Sequence, residues 1–142
     1  MSGFLLDTNI VSEMTRPTPN VHVLRWLESV DESLLYLSVL TLGEIRKGLT
    51  ILTSSRRRSL LEAWLGTELA VRFAGRVLSI DAAIAARWGE LAGDAQRHGT
   101  QLPVIDGLLA ATALQHHLTV VTRNIHDFKS HNIEFLNPWD TL

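Results

Sequence analysis

Four carboxylates and one amide occupy positions from which they could act together on a bound phosphate or cation. Asp7 directly follows the first apolar run of the chain, and Asn124 and Asp127 follow a later one. Glu44 and Asp106 lie in the first turns of two apolar helical segments. Oxygen ligands of this kind suit Mg²⁺ or Mn²⁺. A cation there would activate water and offset charge at phosphate, with one or two ions equally compatible with the pattern.

A parallel α/β sheet would bring these side chains to a common edge. Short apolar runs predict strands at residues 4–6, 34–37, 77–80, 119–122 and 133–136. Apolar spacings of three and four residues predict helices at 8–14, 21–30, about 42–52, 56–73, 81–98 and 105–117, with Asn20 and Asp81 suited to cap the second and fifth of them. Alternating strands and helices are typical of a sheet covered on both faces. Sites in such sheets form where the strands end.

Each acid also has a purely structural interpretation. Asp7, Asp106 and Asp127 would then cap helices or turns, which is a common use of aspartate. Glu44 would be a solvated helix residue that pairs with a basic neighbour. The joint placement of the acids at one edge favours the cation site over these separate explanations, because crowded carboxylates repel one another unless a cation is bound.

The length and composition predict one globular domain over residues 1–142. Hydrophobic residues make up 46% of the chain and charged residues 20%, and there is no cysteine. A thiolate zinc site and a disulfide scaffold are therefore excluded. No targeting segment stands out, and no apolar run approaches the ~20 residues of a membrane helix. We expect a cytoplasmic protein with no membrane partner.

Four segments resemble, in order and spacing, the motifs of PIN-domain nucleases. They are residues 5–13 (LLDTNIVSE), 38–45 (SVLTLGEI), 103–113 (PVIDGLLAATA) and 120–128 (VVTRNIHDF). The chain is most similar to the VapC/FitB-like toxin branch of bacterial type II toxin–antitoxin systems. The resemblance implies a PIN fold with four to five parallel strands, and an endoribonuclease that depends on Mg²⁺ or Mn²⁺. It also implies a cognate antitoxin, a homodimer or larger hetero-oligomer, and operator DNA bound only through the antitoxin.

The resemblance assigns roles to the acids position by position. Asp7, Glu44 and Asp106 match the acidic triad that holds the metal in this family. Asn124 stands where many relatives have a fourth aspartate, and an amide oxygen is a neutral, weaker ligand. Asp127, three residues on, would supply the missing charge directly or through water.

Hydroxyl and basic residues complete the predicted site. The hydroxyl residues that match supports of the acids are Thr8, Ser38 and Thr122. The basic residues expected to contact RNA or the antitoxin are Arg46, Lys47 and Arg123. A denser basic run at residues 56–58 would either bind phosphate or pair internally, Arg58 with Glu62 four residues later.

A second function remains open from the sequence. The fold would then serve chiefly as a binding module in an antitoxin-containing, DNA-binding complex, with little nuclease activity. Asn124 in place of an acid favours that alternative. A phosphatase with Asp7 as nucleophile is disfavoured. Phosphatases that form an aspartyl-phosphate carry an Asp-x-Asp-x-Thr motif after the first strand, whereas this chain has Asp7-Thr8-Asn9 without the second aspartate.

The net charge is informative only after the candidate site is set aside. Fifteen Asp and Glu against 13 Lys and Arg give a net charge of −2, which by itself speaks against a nucleic-acid partner. Without the four candidate acids, 11 acidic side chains remain against 13 basic ones. An acidic pocket on a slightly basic chain suits a metal-dependent nuclease.

Overall fold

A computed structural model describes residues 2–53, 55–128 and 132–140, apart from the side chain of Asp127. Within this part of the chain, five strands form one sheet. The strands are β1 (Phe4–Leu6), β2 (Leu35–Ser38), β3 (Val77–Leu78), β4 (Thr119–Val121) and β5 (Phe135–Leu136). Their order is β3-β2-β1-β4-β5, and all neighbouring pairs are parallel. The predicted parallel sheet is confirmed, although β3 and β5 are shorter than the apolar runs suggested.

Seven α-helices are described. They are α1 (Thr8–Met14), α2 (Val21–Ser29), α3 (Val39–Ile51), α4 (Arg56–Ala63), α5 (Ala70–Arg72), α6 (Ala82–Arg97) and α7 (Val104–His116). Short 3₁₀ turns lie at Glu32–Leu34 and Ile125–Asp127. The side chains of Asn20 and Asp81 accept hydrogen bonds from the first turns of α2 and α6, as their positions predicted.

The segment between α4 and α5 departs from the prediction of one continuous α-helix over 56–73. Residues Trp64–Leu69 form a π-helical turn. Leu65 and Leu69 are both buried in this wider turn. Leu61, Leu65 and Leu69 follow one another at four-residue spacing, which is typical of an α-helix, so the sequence pattern gave no sign of the wider turn.

Alternation along β1 and β4 places an apolar core on each face of the sheet. Leu5 and Val120 belong to one buried cluster, together with Leu109 of α7. Leu6 and Val121 belong to the other cluster, which α1, α3 and the π-helical turn complete. Successive strand residues point to opposite faces, so helices cover the sheet on both sides. Polar groups therefore concentrate at the strand ends.

Arginine side chains hold the opposite, amino-terminal edge of the sheet. Arg76 donates a hydrogen bond of 2.7 Å to the carbonyl oxygen of Leu35, at the start of β2. Arg72 binds the carboxylate of Glu32 through two nitrogens, at 3.0 and 3.1 Å. The hydrogen bond from Arg72 holds the pKa of Glu32 below its usual value. These contacts join the segments that lead into β2 and β3.

No helix in the part of the chain that the structure describes is long and apolar enough to cross a membrane.

Close contact between α6 and α7 fixes the helix that carries Asp106. A Cβ atom on Gly107 would lie 2.9 Å from Cδ1 and 3.0 Å from Nε1 of Trp88, and 3.0 Å from Cδ2 of Leu102. Only a residue without a side chain therefore lets α7 approach Trp88 this closely. The position of Asp106, one residue earlier, depends on this contact.

We expect Gly107→Ala to lower the free energy of unfolding by about 1–3 kcal/mol, because the added methyl group overpacks the contact with Trp88. Urea denaturation measures the change. Gly93→Ala on α6 is the matched control, since a Cβ there meets nothing within 4 Å. Alanine is favoured over glycine within a helix by up to about 1 kcal/mol, so this variant should be at least as stable as the parent. Equal changes in the free energy of unfolding for the two substitutions would contradict the conclusion that α7 needs a glycine at its contact with Trp88.

Candidate active site

A pocket opens at the carboxyl edge of the sheet, where the chain order reverses. β1 leads outward to β2 and β3 on one side, while β4 and β5 lie on the other. Parallel sheets bind ligands at such reversal points. The pocket has a volume of about 690 Å³, and Asp7, Glu44, Asp106, Arg123 and Asn124 are among its lining residues.

Asp7 is buried at the end of β1, with 8% of its surface exposed. Its Oδ1 accepts a hydrogen bond of 2.7 Å from the backbone N–H of Thr8, so it caps α1. Its Oδ2 accepts a bond of 2.8 Å from the hydroxyl of Thr122. The capping explanation is therefore correct, and the same carboxylate also lines the pocket.

Thr122 joins the two central strand ends. Its hydroxyl is buried, donates to Asp7, and accepts a bond of 2.9 Å from the backbone N–H of Asn124. The contact predicted between Thr122 and an acid of the site is present. Because this one hydroxyl is hydrogen-bonded both to Asp7 at the end of β1 and to Asn124 in the turn after β4, Thr122 fixes the relative positions of these two residues.

Glu44 is half-buried on α3 and accepts a hydrogen bond of 2.5 Å from the hydroxyl of Thr8. The predicted support of an acid by Thr8 is therefore also present. Ser38 is placed differently: its hydroxyl accepts a bond of 3.0 Å from the backbone N–H of Leu40 and caps α3. Ser38 does not line the pocket. It affects the position of Glu44 only by capping α3, the helix that carries Glu44.

Asp106 lies in the first turn of α7, is half-buried, and lines the same pocket as Glu44. Asn124 is exposed at the end of β4 and lines the same pocket. The side chain of Asp127 lies outside the described residues, so its predicted role stays a prediction. The roles of the other acids as metal ligands stay predictions as well.

Of the basic residues that the sequence singled out, Arg123 lines this pocket, and so does Arg57 of the basic run at residues 56–58. Arg46 and Lys47 are exposed on α3 and point elsewhere; neither forms an ion pair with Glu44 among the described residues. Arg58 pairs with Glu62 at 2.9 Å, which confirms the internal pairing considered for the basic run at residues 56–58.

Asn9 is a site residue that the sequence analysis did not single out. Its side-chain nitrogen lies 3.4 Å from Oδ2 of Asp7 and 3.3 Å from the hydroxyl of Thr122. Its side-chain oxygen accepts a bond of 3.2 Å from the backbone N–H of Arg123. Asn9 therefore ties α1 to both strand ends. Its position two residues after Asp7 was the available signal, but asparagine is common in first helical turns.

Glu13 is a second residue that was missed. It lines the pocket with only 5% of its surface exposed. Its carboxylate accepts a bond of 2.7 Å from the backbone N–H of Asn20, and lies 3.3 Å from a guanidinium nitrogen of Arg16. Glu13 falls three residues after the buried Ile10 on α1. An acid on an apolar helix face was the signal that could have revealed it.

The acids are not gathered into a ready-made cage. Among the described residues, no group of three or more His, Asp or Glu side chains lies close enough together to hold a metal ion by itself. The pocket instead presents separate carboxylates around a shared space.

We expect Thr122→Val to lower the free energy of unfolding by about 1–3 kcal/mol, because a buried carboxylate loses a donor and the Asn124 N–H loses its acceptor. Urea denaturation at neutral pH measures the loss. Thr119→Val, at the start of β4, is the matched control, since its hydroxyl donates to Glu134 in an exposed pair. That variant should change stability by less than about 0.5 kcal/mol. Similar losses of unfolding free energy in both variants would show that the buried hydrogen bonds of Thr122 contribute no more to stability than the exposed one of Thr119.

Comparison with known proteins assigns the family. A family model described as the PIN domain matches residues 4–132. The chain is 39% identical over 135 residues to Toxin FitB of Neisseria gonorrhoeae, covering 95% of this chain and 97% of that protein. It is 34% identical over 136 residues to VapC ribonuclease Y4jK of Sinorhizobium fredii, covering 96% of this chain and 97% of that protein.

Solved structures agree with this assignment. The chain matches the crystal structure of FitAcB from Neisseria gonorrhoeae with a TM-score of 0.91 and 38% identity, over 97% of this chain and 99% of that one. It matches a structure of FitAB bound to an IR36 DNA fragment with a TM-score of 0.91 and 37% identity, over 98% of this chain and 97% of that one. The motifs, the fold and these relatives together show that the chain belongs to the PIN-domain family.

Proposed function

We propose that this protein is a metal-dependent endoribonuclease of the cytoplasm, a hydrolase that acts as the toxin of a type II toxin–antitoxin pair. The observation that carries the proposal is the convergence of Asp7, Glu44 and Asp106 on one pocket at the reversal point of the sheet. The relatives named as a toxin and as a VapC ribonuclease support it.

The donor chemistry of the pocket fits a hard divalent cation. The three carboxylates and the amide of Asn124 offer only oxygen ligands, and the chain has no cysteine. Mg²⁺ keeps several of its waters and is commonly held by one or two carboxylates, so it needs no cage of three or more acids. Asp7 and Asp106, with Glu44, would hold Mg²⁺ or Mn²⁺. When bound, the cation supplies an activated water and offsets negative charge on phosphate.

The threonine hydroxyls that contact the candidate acids favour hydrolysis by water over attack by a threonine. The hydroxyl of Thr122 is buried and donates to Asp7, and the hydroxyl of Thr8 donates to Glu44. Both hydroxyls are therefore occupied in orienting acids rather than poised as nucleophiles. No histidine is among the described residues that line the pocket, so carboxylates are its bases. Water attacks phosphorus and gives up a proton to a carboxylate or to solvent, the bond from phosphorus to the leaving ribose oxygen breaks, and that oxygen takes up a proton from solvent.

We expect Asp7→Asn and Asp106→Asn each to reduce RNA cleavage by about 10²-fold or more, because each removes a charge that the transition state needs. Purified protein is incubated with structured RNA and Mg²⁺ or Mn²⁺, and new RNA ends are sequenced. Circular dichroism and thermal unfolding establish that the fold persists. Asp94→Asn on α6 is the control, since this exposed acid lies outside the pocket and should leave cleavage unchanged.

Undiminished cleavage in the Asp7→Asn/Asp106→Asn double variant would refute the proposed site. A wild-type protein that neither cleaves RNA nor slows growth, once separated from any partner, would favour the second candidate. That candidate is a binding module within a DNA-binding complex. The neutral Asn124 and the similarity to FitAB, solved with DNA, favour it.

We also propose that the chain forms a homodimer and binds a small antitoxin protein, through which the assembly reaches operator DNA. The similarity to FitAcB and to FitAB bound to DNA supports this proposal. Ile51, Leu60 and Val71 are respectively 72%, 64% and 74% exposed. Exposed apolar side chains are a common feature of surfaces that bind another protein.

We expect the chain to co-purify with the product of a small neighbouring reading frame when both are expressed from their natural gene order. Light scattering gives the mass of the complex, and an electrophoretic shift with the upstream DNA tests operator binding. The toxin chain alone should give no shift. Elution of the chain without the neighbouring product at micromolar concentration would contradict the partner assignment.

A further inference from the structure

Arg123 and Trp139 form a stacked pair at the rim of the pocket. Both residues line the pocket that holds the three acids. The Cζ atom of Arg123 lies 5.1 Å from the centre of the Trp139 ring, within range for a cation–π contact. The two come from neighbouring strand ends, because Arg123 follows β4 and Trp139 follows β5, which pairs with β4.

The backbone of Arg123 is fixed relative to the acids. Its N–H donates to the side-chain oxygen of Asn9 at 3.2 Å. The preceding residue, Thr122, donates its hydroxyl to Asp7 at 2.8 Å. The start of this side chain is therefore tied to the same contacts that hold Asp7.

Both the backbone and the ring of Trp139 are held in place. The backbone N–H of Trp139 donates to the side-chain oxygen of Asn137 at 2.9 Å. The ring is partly buried against the core cluster that contains Leu6 and Ile10. The ring that contacts the guanidinium is thus held against the core and is not free to move with Arg123.

Arg123 differs from the arginines that pair with acids. Arg16, Arg58, Arg72, Arg76 and Arg97 each lie within 4.0 Å of a carboxylate oxygen. Among the described side chains, no carboxylate forms an ion pair with Arg123 or with Arg57, which also lines the pocket, and of these two Arg123 is the one that stacks on an aromatic ring. Stacking uses the flat face of a guanidinium and leaves its N–H groups at the edge, where a planar fork matches two phosphate oxygens.

We propose that Trp139 is a positioning residue that holds the guanidinium of Arg123 at the pocket rim, where it binds a backbone phosphate of RNA. The inference rests on the proposed function, because it takes RNA as the molecule that enters the pocket. A ring that stacks on Arg123 restricts a long side chain before RNA arrives, so less conformational entropy is lost on binding.

The test is a double-mutant cycle on RNA binding in an Asp106→Asn background, which removes cleavage from the measurement. The probe is a fluorescein-labelled single-stranded RNA of mixed sequence, titrated with protein at several salt concentrations and followed by anisotropy. The variants are Arg123→Gln, Trp139→Leu, Trp139→Phe and the Arg123→Gln/Trp139→Leu pair. Arg97→Gln on α6 is the control for the loss of one positive charge away from the pocket.

Arg123→Gln should weaken binding about tenfold and reduce the salt slope by about 0.7, the value for one phosphate contact to a single strand. Trp139→Leu should weaken binding several-fold, and Trp139→Phe, which keeps a ring face, should bind more tightly than Trp139→Leu. The double variant should bind no worse than Arg123→Gln alone, because Trp139 acts through Arg123. Arg97→Gln should have less effect than Arg123→Gln.

A purely structural Trp139 would behave differently. Its loss would weaken binding by the same factor with or without Arg123, and that additive result would overturn the proposal. So would unchanged RNA binding in Arg123→Gln, even if binding of a protein partner fell. Cleavage by the wild-type chain is measured separately, so a failure of the hydrolase assignment is distinguishable from a failure of the Arg123 contact.

Discussion

The burial of one carboxylate at the end of the central strand is the constraint on which the site depends. An ionised carboxylate held away from water costs several kcal/mol unless partners compensate. Asp7 receives its partners from the first turn of α1 and from Thr122, which lies 115 residues later in the chain. The pocket can therefore form only when β1 and β4 are paired. The same pairing divides the apolar residues into two cores and leaves the strand ends to the polar groups.

Much of the fold could be read from the sequence because its signals are local. The short apolar runs located the strands, and Asn20 and Asp81 located two helix starts through hydrogen bonds that span only two or three residues. The lengths of β3 and β5 were less predictable, because a strand ends where its neighbour stops pairing. The dependence of α7 on Gly107 was not readable either, since it arises from contact with Trp88 in another helix.

The residues of the candidate site could likewise be predicted only in part from the sequence. The acids Asp7, Glu44 and Asp106 were found from their places after strands or at helix starts, and the resemblance to PIN domains supplied the threonines that hold two of them. Glu13 and the stacking of Arg123 were not found. Glutamate and arginine are common on exposed surfaces, and only the three-dimensional structure shows that one is buried and that the other lies on an aromatic ring.

The π-helical turn at Trp64–Leu69 bears on how the chain length can vary. Such a turn spans one residue more than an α-helical turn, and it is equivalent to an insertion of one residue into a regular helix. The pocket-lining Leu61 and Trp64 lie at or before its start, while Leu69 and the approach to β3 lie at its end. A single deletion within the turn would restore a regular helix. The turn thus marks a point where related chains can gain or lose one residue while the central strands keep their places.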